Sequence, residues 1–415
     1  MNILYYILSL LSLASASTVV DLGYASYKGQ TLSNGVTQWL GIRYAAPPVG
    51  DLRFAAPEDP LDMEGIQQAN EFGGNPKHVV IGGDSAGGTS VALMLSAYGG
   101  KDEKLFVAAA SESQSFGTML NVSESQFAYD ELVTATACDS SKDTLACLRE
   151  LDVHSLQAKN INRPYPGAKG KPLFLYGPTI DEDLVPDYTY RLFNEGKFIK
   201  VPVIFGDDTN EGTTFVPKKV SSVAEADTFI KKQFPYMTQS QMTRINSMYL
   251  TANQTETFPG AGPYWRPASK AYGEIRYICP GIKMSSIYAD AGVPSWNYHY
   301  AVQDPAKEAS GMGTDHTVEV HAIWGPENTG QRAPASYTTT NAAIVPLMQA
   351  YWTSFIVFLD PNTKRLSSSP KWQTWGDDAY RRIFIRTGKT KMETVPQKQR
   401  SRCQYLTSIG VALRQ

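Results

Sequence analysis

The chain has 415 residues, 38 of them basic and 40 acidic, for a formal net charge of −2, and 42% of its residues are hydrophobic. A nearly neutral chain without a basic stripe lacks the electrostatic footprint of a nucleic-acid binder or a membrane-surface protein, so neither partner is expected. The apolar content is ample for one sizeable core.

Residues 3–14 form an apolar run that closes on Ala14-Ser15-Ala16. Although its amino end carries no Lys or Arg, residues 1–16 read as a secretory signal cleaved after Ala16. No other stretch is long and apolar enough to span a bilayer. Residues 17–415 are therefore expected as a secreted single domain, since no internal repeat, low-complexity tract or linker interrupts them.

From Val19 short strands and turns lead to the stretches GIRYAAPPVG at 41–50 and Leu52-Arg53-Phe54. Next comes KHVVIGGDSAGGTSVALMLS at 77–96. An apolar run, then Gly83-Asp84-Ser85-Ala86-Gly87, then Val91, Met94 and Leu95 at helical spacing place Ser85 where a buried strand turns sharply into a helix. A serine hydroxyl becomes a useful nucleophile when it projects from such a strained turn toward a base. The turn needs small residues around it, expected here at Gly83 and Gly87. The Ala86 N–H, opening the helix, faces the same spot and is the candidate oxyanion donor.

A buried strand over 105–110 follows, ending in Glu112-Ser113-Gln114-Ser115. Asn121-Val122-Ser123 and Asn253-Gln254-Thr255 are candidate glycosylation acceptors at Asn121 and Asn253. Cys138, Cys147, Cys279 and Cys403 in an oxidising compartment read as two disulfides rather than a metal site, with three pairings open. The strand over 201–206 delivers Asp207, Asp208 and Glu211 to its carboxyl end. At least one of those three is expected to be a solvated turn carboxylate. Beyond an alternating strand over 296–302, His316 stands in a flexible Gly311-Met312-Gly313-Thr314-Asp315 stretch. His78, His154 and His299 are assigned satisfied core or surface roles, and His321 sits on the following helical segment, which leaves His316 as the candidate base. Leu347, Tyr351, Phe355 and Phe358 make one helical stripe. Strands separated by helical segments predict a mostly parallel α/β sheet flanked by helices.

The stretches GIRYAAPPVGDLRF, FGGNPKHVVIGGDSAGG, DDTNEGTTF, GTDHTVEVHAIWG and YWTSFIVFLDPN together resemble the type B carboxylesterase and lipase family, which includes cholinesterases and secreted fungal lipases. The likeness runs over nearly the whole mature chain. It implies an α/β-hydrolase fold and hydrolysis of small-molecule or lipid carboxylic esters through an acyl-enzyme, with no cofactor and no metal. It also implies Ser85 as nucleophile, Glu211 as acid, His316 as base, Ser113 as a hydroxyl near the acid, and the pairs Cys138 with Cys147 and Cys279 with Cys403. Asp84 stands where the family more often has Glu.

One departure bears on activity. The family carries a His-Gly-Gly-Gly loop before the elbow that supplies two oxyanion donors. Here no histidine precedes His78, and Phe54 and Ser85 are only 31 positions apart. A parallel strand-helix-strand crossover takes roughly 30 residues or more, so a family segment is expected to be missing around 58–65 and the sheet to be incomplete. Either an internal coding segment is lacking or the chain is a shortened relative, and the second reading of function is a noncatalytic secreted binding homologue.

Overall fold

The computed structural model describes residues 19–22, 24–31, 37–39, 42–62, 75–251, 257–329, 333–376 and 380–415. The expected signal, residues 1–16, and residues 63–65 of the expected gap lie outside them. The chain divides into two compact units, residues 1–76 with 136–156, and residues 77–135 with 157–415.

In the smaller unit Val19–Asp21 pairs antiparallel with Ser26–Lys28, and Gln30–Thr31 with Thr37–Gln38. Arg53 ties this unit together: Nη1 donates to the Leu148 and Leu151 carbonyls at 3.2 and 2.5 Å, while Arg149 Nε donates back to the Arg53 carbonyl at 3.0 Å. Cys138 and Cys147 form a disulfide here.

The larger unit is built on one six-stranded sheet: β1 (Val80–Asp84), β2 (Ala108–Glu112), β3 (Val203–Asp208), β4 (Ser295–Tyr300), β5 (Arg381–Ile385) and β6 (Lys391–Thr394). The strands lie in chain order, β1 to β5 parallel and β6 antiparallel at the far edge. This is the mostly parallel sheet read from the sequence. Among the described residues β1 pairs only with β2, so the strand that leads to Ser85 is an edge strand.

Both faces of the sheet are buried, as a parallel sheet requires. Ala109, Val203 and Phe205 point into a cluster with Val91 and Leu95 of α1 (Ala86–Ser96) and Tyr288 of α3 (Cys279–Asp290). Ala108, Ala110, Ile204, Trp296, Tyr298 and Ile383 point the other way, onto Met348, Tyr351, Trp352 and Phe355 of α4 (Ile344–Phe358). The period of two along β2 and β3 separates the two cores. Tyr351 and Phe355 of the predicted stripe are fully buried, and removing the Phe355 ring would cost about 3–5 kcal/mol. Phe358, at the end of the same stripe, is 44% exposed, and Met94 on α1 is 38% exposed. A third core gathers Phe229, Trp265 and Tyr272 around the Cys279–Cys403 disulfide, which joins α3 to α5 (Gln397–Ser408); Trp265 and Tyr272 belong to α2 (Trp265–Gly273).

Strand register decides what meets at the carboxyl edge. Asp84 lies opposite Glu112, Glu112 opposite Gly206, and Asp208 opposite Tyr300. The acidic ends of three parallel strands are therefore side by side, at the edge where open α/β sheets place their ligands.

Candidate active site

Ser85 joins β1 to α1 with φ 59° and ψ −115°, a conformation that a non-glycine residue adopts only under constraint. The constraint is visible on both sides. A Cβ on Gly83 would sit 2.5 Å from the Gly87 carbonyl carbon, and one on Gly88 would sit 2.4 Å from the Glu112 carbonyl oxygen. Neither neighbour can move, because each is backbone of the turn or of β2. A Cβ on Gly87 would meet nothing within 4 Å. The glycine the turn needs after Ser85 is thus Gly88 rather than Gly87, since it is the third residue of the helix, not the second, that presses against β2. The Ser85 N–H donates to the Glu112 carbonyl at 3.0 Å, and Ala86 opens α1 beside it.

Two loops carry the other groups. The loop after β3 turns through a short 3₁₀ segment, Glu211–Thr214, and the loop after β4 carries His316. They are laced together. Asn210 N–H donates to the Thr314 carbonyl (2.8 Å), Thr314 N–H to Asn210 Oδ1 (3.0 Å), and Thr213 Oγ1 to the Met312 carbonyl (2.9 Å). Gly313, at φ 67°, has its missing Cβ 2.0 Å from Asn210 Oδ1, so only glycine allows this approach.

The lacing brings three side chains into line. His316 Nε2 lies 2.7 Å from Ser85 Oγ, and His316 Nδ1 lies 2.5 Å from Glu211 Oε2. A carboxylate can only accept, so Nδ1 carries the hydrogen and Nε2 is left to accept from the serine hydroxyl. The other Glu211 oxygen accepts from Ser113 Oγ (2.7 Å) and from the Asp208 N–H (2.7 Å). Phe215 and Tyr277 wall the imidazole, with ring centroids 5.0 and 4.5 Å away.

Behind this line lies a carboxyl cluster that the sequence reading only half anticipated. Asp207, Asp208 and Glu211 are 1%, 0% and 1% exposed, which corrects the expectation that one of them is a solvated turn carboxylate. The strand end enters the molecule because the loop after β4 covers it. Glu319, three residues beyond His316, joins them: Tyr298 donates to its Oε1 at 2.8 Å, and Ser113 Oγ lies 3.3 Å from the same atom. Tyr298 reaches this position because its ring lies over Gly206, where a Cβ would be 2.0 Å away. Burial, reinforced by Glu319, Glu112 and Glu211, pushes the Asp84 carboxyl up to about 10, and burial with Glu319 pushes Glu112 up to about 8. Asp207 and Asp208 are held well above the usual carboxylate range by burial first and neighbouring carboxylates second, and Glu319 is raised by burial. Burial and the difficulty of ionising several like charges together both favour the neutral forms in this cluster.

Ser85 and Ala86 line a cavity of about 350 Å³ with Ser115, Phe116, Phe174 and Arg276. A larger cavity of about 480 Å³ carries Glu211, Arg382 and Arg402 but neither Ser85 nor His316. The remaining histidines lie elsewhere: His78 Nε2 on the Ile356 carbonyl, His299 between Thr209 and Glu393, His321 on Thr329, and His154 exposed on a helix. Both disulfides follow the pairing implied by the resemblance. Asn121 is exposed and its Oδ1 accepts from the Glu124 N–H, which leaves the amide nitrogen outward; Asn253 lies outside the described residues. Three contributors were missed from sequence: Glu319, Gly88 and Arg276. The first was legible as an acid three residues past His316, and the last as a cation among Tyr272, Ile275, Tyr277 and Ile278.

A family model described as the carboxylesterase family matches residues 16–72 and 67–404. Secreted lipase 4 of Gibberella zeae is 28% identical over 346 residues, 78% of this chain and 58% of that protein. Lipase 5 of Diutina rugosa is 32% identical over 322 residues, 71% of this chain and 53% of that protein. The chain thus spans little more than half the length of these relatives. The crystal structure of Aspergillus niger EstA superposes with a TM-score of 0.89 at 33% identity, covering 96% of this chain and 99% of that one. No helix among the described residues is long and apolar enough to cross a membrane.

Proposed function

The chain belongs to the carboxylesterase family, and on that premise we propose that it hydrolyses carboxylic esters through Ser85, with His316 as base and Glu211 as the acid that orients it. The observation that carries the reading is the 2.7 Å contact between His316 Nε2 and Ser85 Oγ, made at the mouth of a cavity and backed by Glu211 on Nδ1. As Oγ attacks the ester carbonyl, His316 takes its proton, and Glu211 steadies the imidazolium that forms. The tetrahedral oxyanion faces the Ala86 N–H and the positive end of α1. Collapse passes the proton to the leaving alcohol and leaves an acyl-serine. Water, deprotonated by His316, then releases the acid and restores Ser85. Every step uses groups of this chain and water.

The same reading places the protein outside the cell. The apolar leader, two disulfides and relatives named as secreted lipases support export, with residues 17–415 as one mature domain and glycans on Asn121 and Asn253. A second reading, a secreted binding homologue with little catalysis, is favoured by one observation. The strand that carries Ser85 is a sheet edge among the described residues, on the side where the missing family segment would pair. A fluorophosphonate probe tests the first reading. Stoichiometric labelling mapped to Ser85 is expected, and labelling of Ser113 or of no serine in folded protein overturns it.

A further inference from the structure

Arg276 is the unusual charge of this molecule. It is 9% exposed and lines the cavity that holds Ser85, yet among the described residues it makes no ion pair. Its Nε donates to Ser115 Oγ at 2.7 Å, and the Ser115 N–H in turn lies 3.4 Å from the Ser85 carbonyl. The guanidinium is therefore one residue removed from the nucleophile's own backbone. Its flanks are aromatic, with the Phe174 and Tyr277 ring centroids 5.1 and 6.0 Å from Cζ. The nearby Tyr272 and Tyr277 phenols offer no countercharge, because burial keeps both protonated beyond the ordinary tyrosine range. The two Nη atoms lie over Gly117, where a Cβ would sit 2.9 and 3.0 Å from them. A desolvated guanidinium with its fork turned into a cavity, and no carboxylate of its own, is an unfinished ion pair.

We propose that a free carboxylate on the substrate completes it, so that the preferred esters are hemiesters of short dicarboxylic acids rather than neutral esters. The ester carbonyl would lie at Ser85 and the carboxylate on the Nη fork of Arg276, as a bidentate, charge-assisted pair. Phe116 and Phe174 would cover the methylenes between. The proposal rests on the ester-hydrolase reading of the site. It adds a specificity-determining residue and a substrate class to it.

The test separates binding from turnover. Monomethyl glutarate and dimethyl glutarate are titrated calorimetrically into the full chain carrying Ser85→Ala, which cannot consume them. The two ligands differ only in the free carboxylate. The hemiester is expected to bind about ten-fold more tightly or better, the ratio typical of one hydrogen-bonded pair with a charged group. Adding Arg276→Gln should abolish that ratio, and Gly117→Ala, which crowds the Nη atoms, should reduce it. Equal affinity, or preference for the diester, in the Arg276-bearing protein overturns the proposal even if the Arg276 variant fails to fold. Fluorophosphonate labelling of Ser85 is read separately. Labelling without carboxylate preference sinks this proposal alone, and carboxylate preference without labelling sinks the hydrolase reading and the substrate class with it, leaving Arg276 as a carboxylate-binding residue.

Discussion

Glu211 and Glu319 approach the same hydroxyl: Ser113 Oγ stands 2.7 Å from Glu211 Oε1 and 3.3 Å from Glu319 Oε1. Ser113 holds this place with φ 45°, a strained angle for a serine, at 0% exposure. One proton donor is thus set between two carboxyl groups, one of which orients His316.

Removing that hydroxyl leaves Glu211 with the Asp208 N–H as its remaining anchor on Oε1 and brings two carboxyl groups together without a donor between them. Ser113→Ala is expected to lower kcat by about 10- to 100-fold, in the range typical of a lost supporting partner, with KM nearly unchanged because the hydroxyl does not line the cavity. Steady-state kinetics on a short-chain nitrophenyl ester decide it. A rise in KM at constant kcat would assign Ser113 to substrate binding instead.

Glu211→Gln should reduce kcat by about 10⁴-fold, the loss typical of an acid that fixes the histidine tautomer. Asp207→Asn and Asp208→Asn should cost far less. The reason is not solvation, since both side chains are buried, but charge: burial favours the neutral form of each carboxyl, and an amide reproduces that form. Similar losses from all three substitutions would remove Glu211 from its special place.

Much of the site was legible because its residues are fixed locally. A strand, a tight Gly-x-Ser-x-Gly turn and a helix define Ser85 within twenty residues, and a glycine-rich loop points to His316, while the strand ending in acids left Asp207, Asp208 and Glu211 open and only the family resemblance chose Glu211. What stayed hidden depends on register across strands that are distant in sequence. That Asp84 faces Glu112, and that Tyr298 crosses Gly206 to reach Glu319, follows from pairings among β1, β2, β3 and β4. The same distance hid Gly88, whose partner is a carbonyl of β2, and the burial of Asp207 and Asp208 under the loop after β4.

The protonated carboxyls make stability depend on pH with a definite sign. Glu112 is raised from 4.5 to about 8 by burial and Glu319, while its Oε1 accepts from Trp352 Nε1 at 2.6 Å. A carboxyl whose folded value lies above its unfolded value favours the folded state fully below the unfolded value. That favour is lost as pH rises through the folded value. Between about pH 5 and about pH 9 the native protein should therefore lose stability at this site, by an amount on the order of 3–5 kcal/mol at most. Asp84, raised to about 10, extends the decline upward. Glu112→Gln keeps the acceptor for Trp352 without the proton linkage. Urea unfolding of wild type and variant should diverge with rising pH, the variant being the more stable at the alkaline end, and parallel curves would refute the assignment.

The remaining prediction concerns rate. The Ala86 N–H stands at the amino end of α1 and is the proposed oxyanion donor, and the family's His-Gly-Gly-Gly loop, which furnishes two more, has no counterpart in the sequence. Losing one such donor typically costs about 10²- to 10³-fold in rate, and two could reach about 10⁴-fold, although donors acting as a unit need not multiply. Among the described residues β1 has a single partner, and Val79 just before it is 39% exposed. An unpaired strand edge beside exposed apolar side chains lowers the yield of folded protein as well as its activity. Residues 17–415 should therefore hydrolyse a nitrophenyl ester slowly per folded molecule, counted by the soluble monomer fraction. A version carrying the His-Gly-Gly-Gly segment of a longer family member before β1 should be faster by about 10²-fold or more. Equal rates per folded molecule would mean that other backbone donors near Ser85 already bind the oxyanion, and that the segment serves folding rather than chemistry.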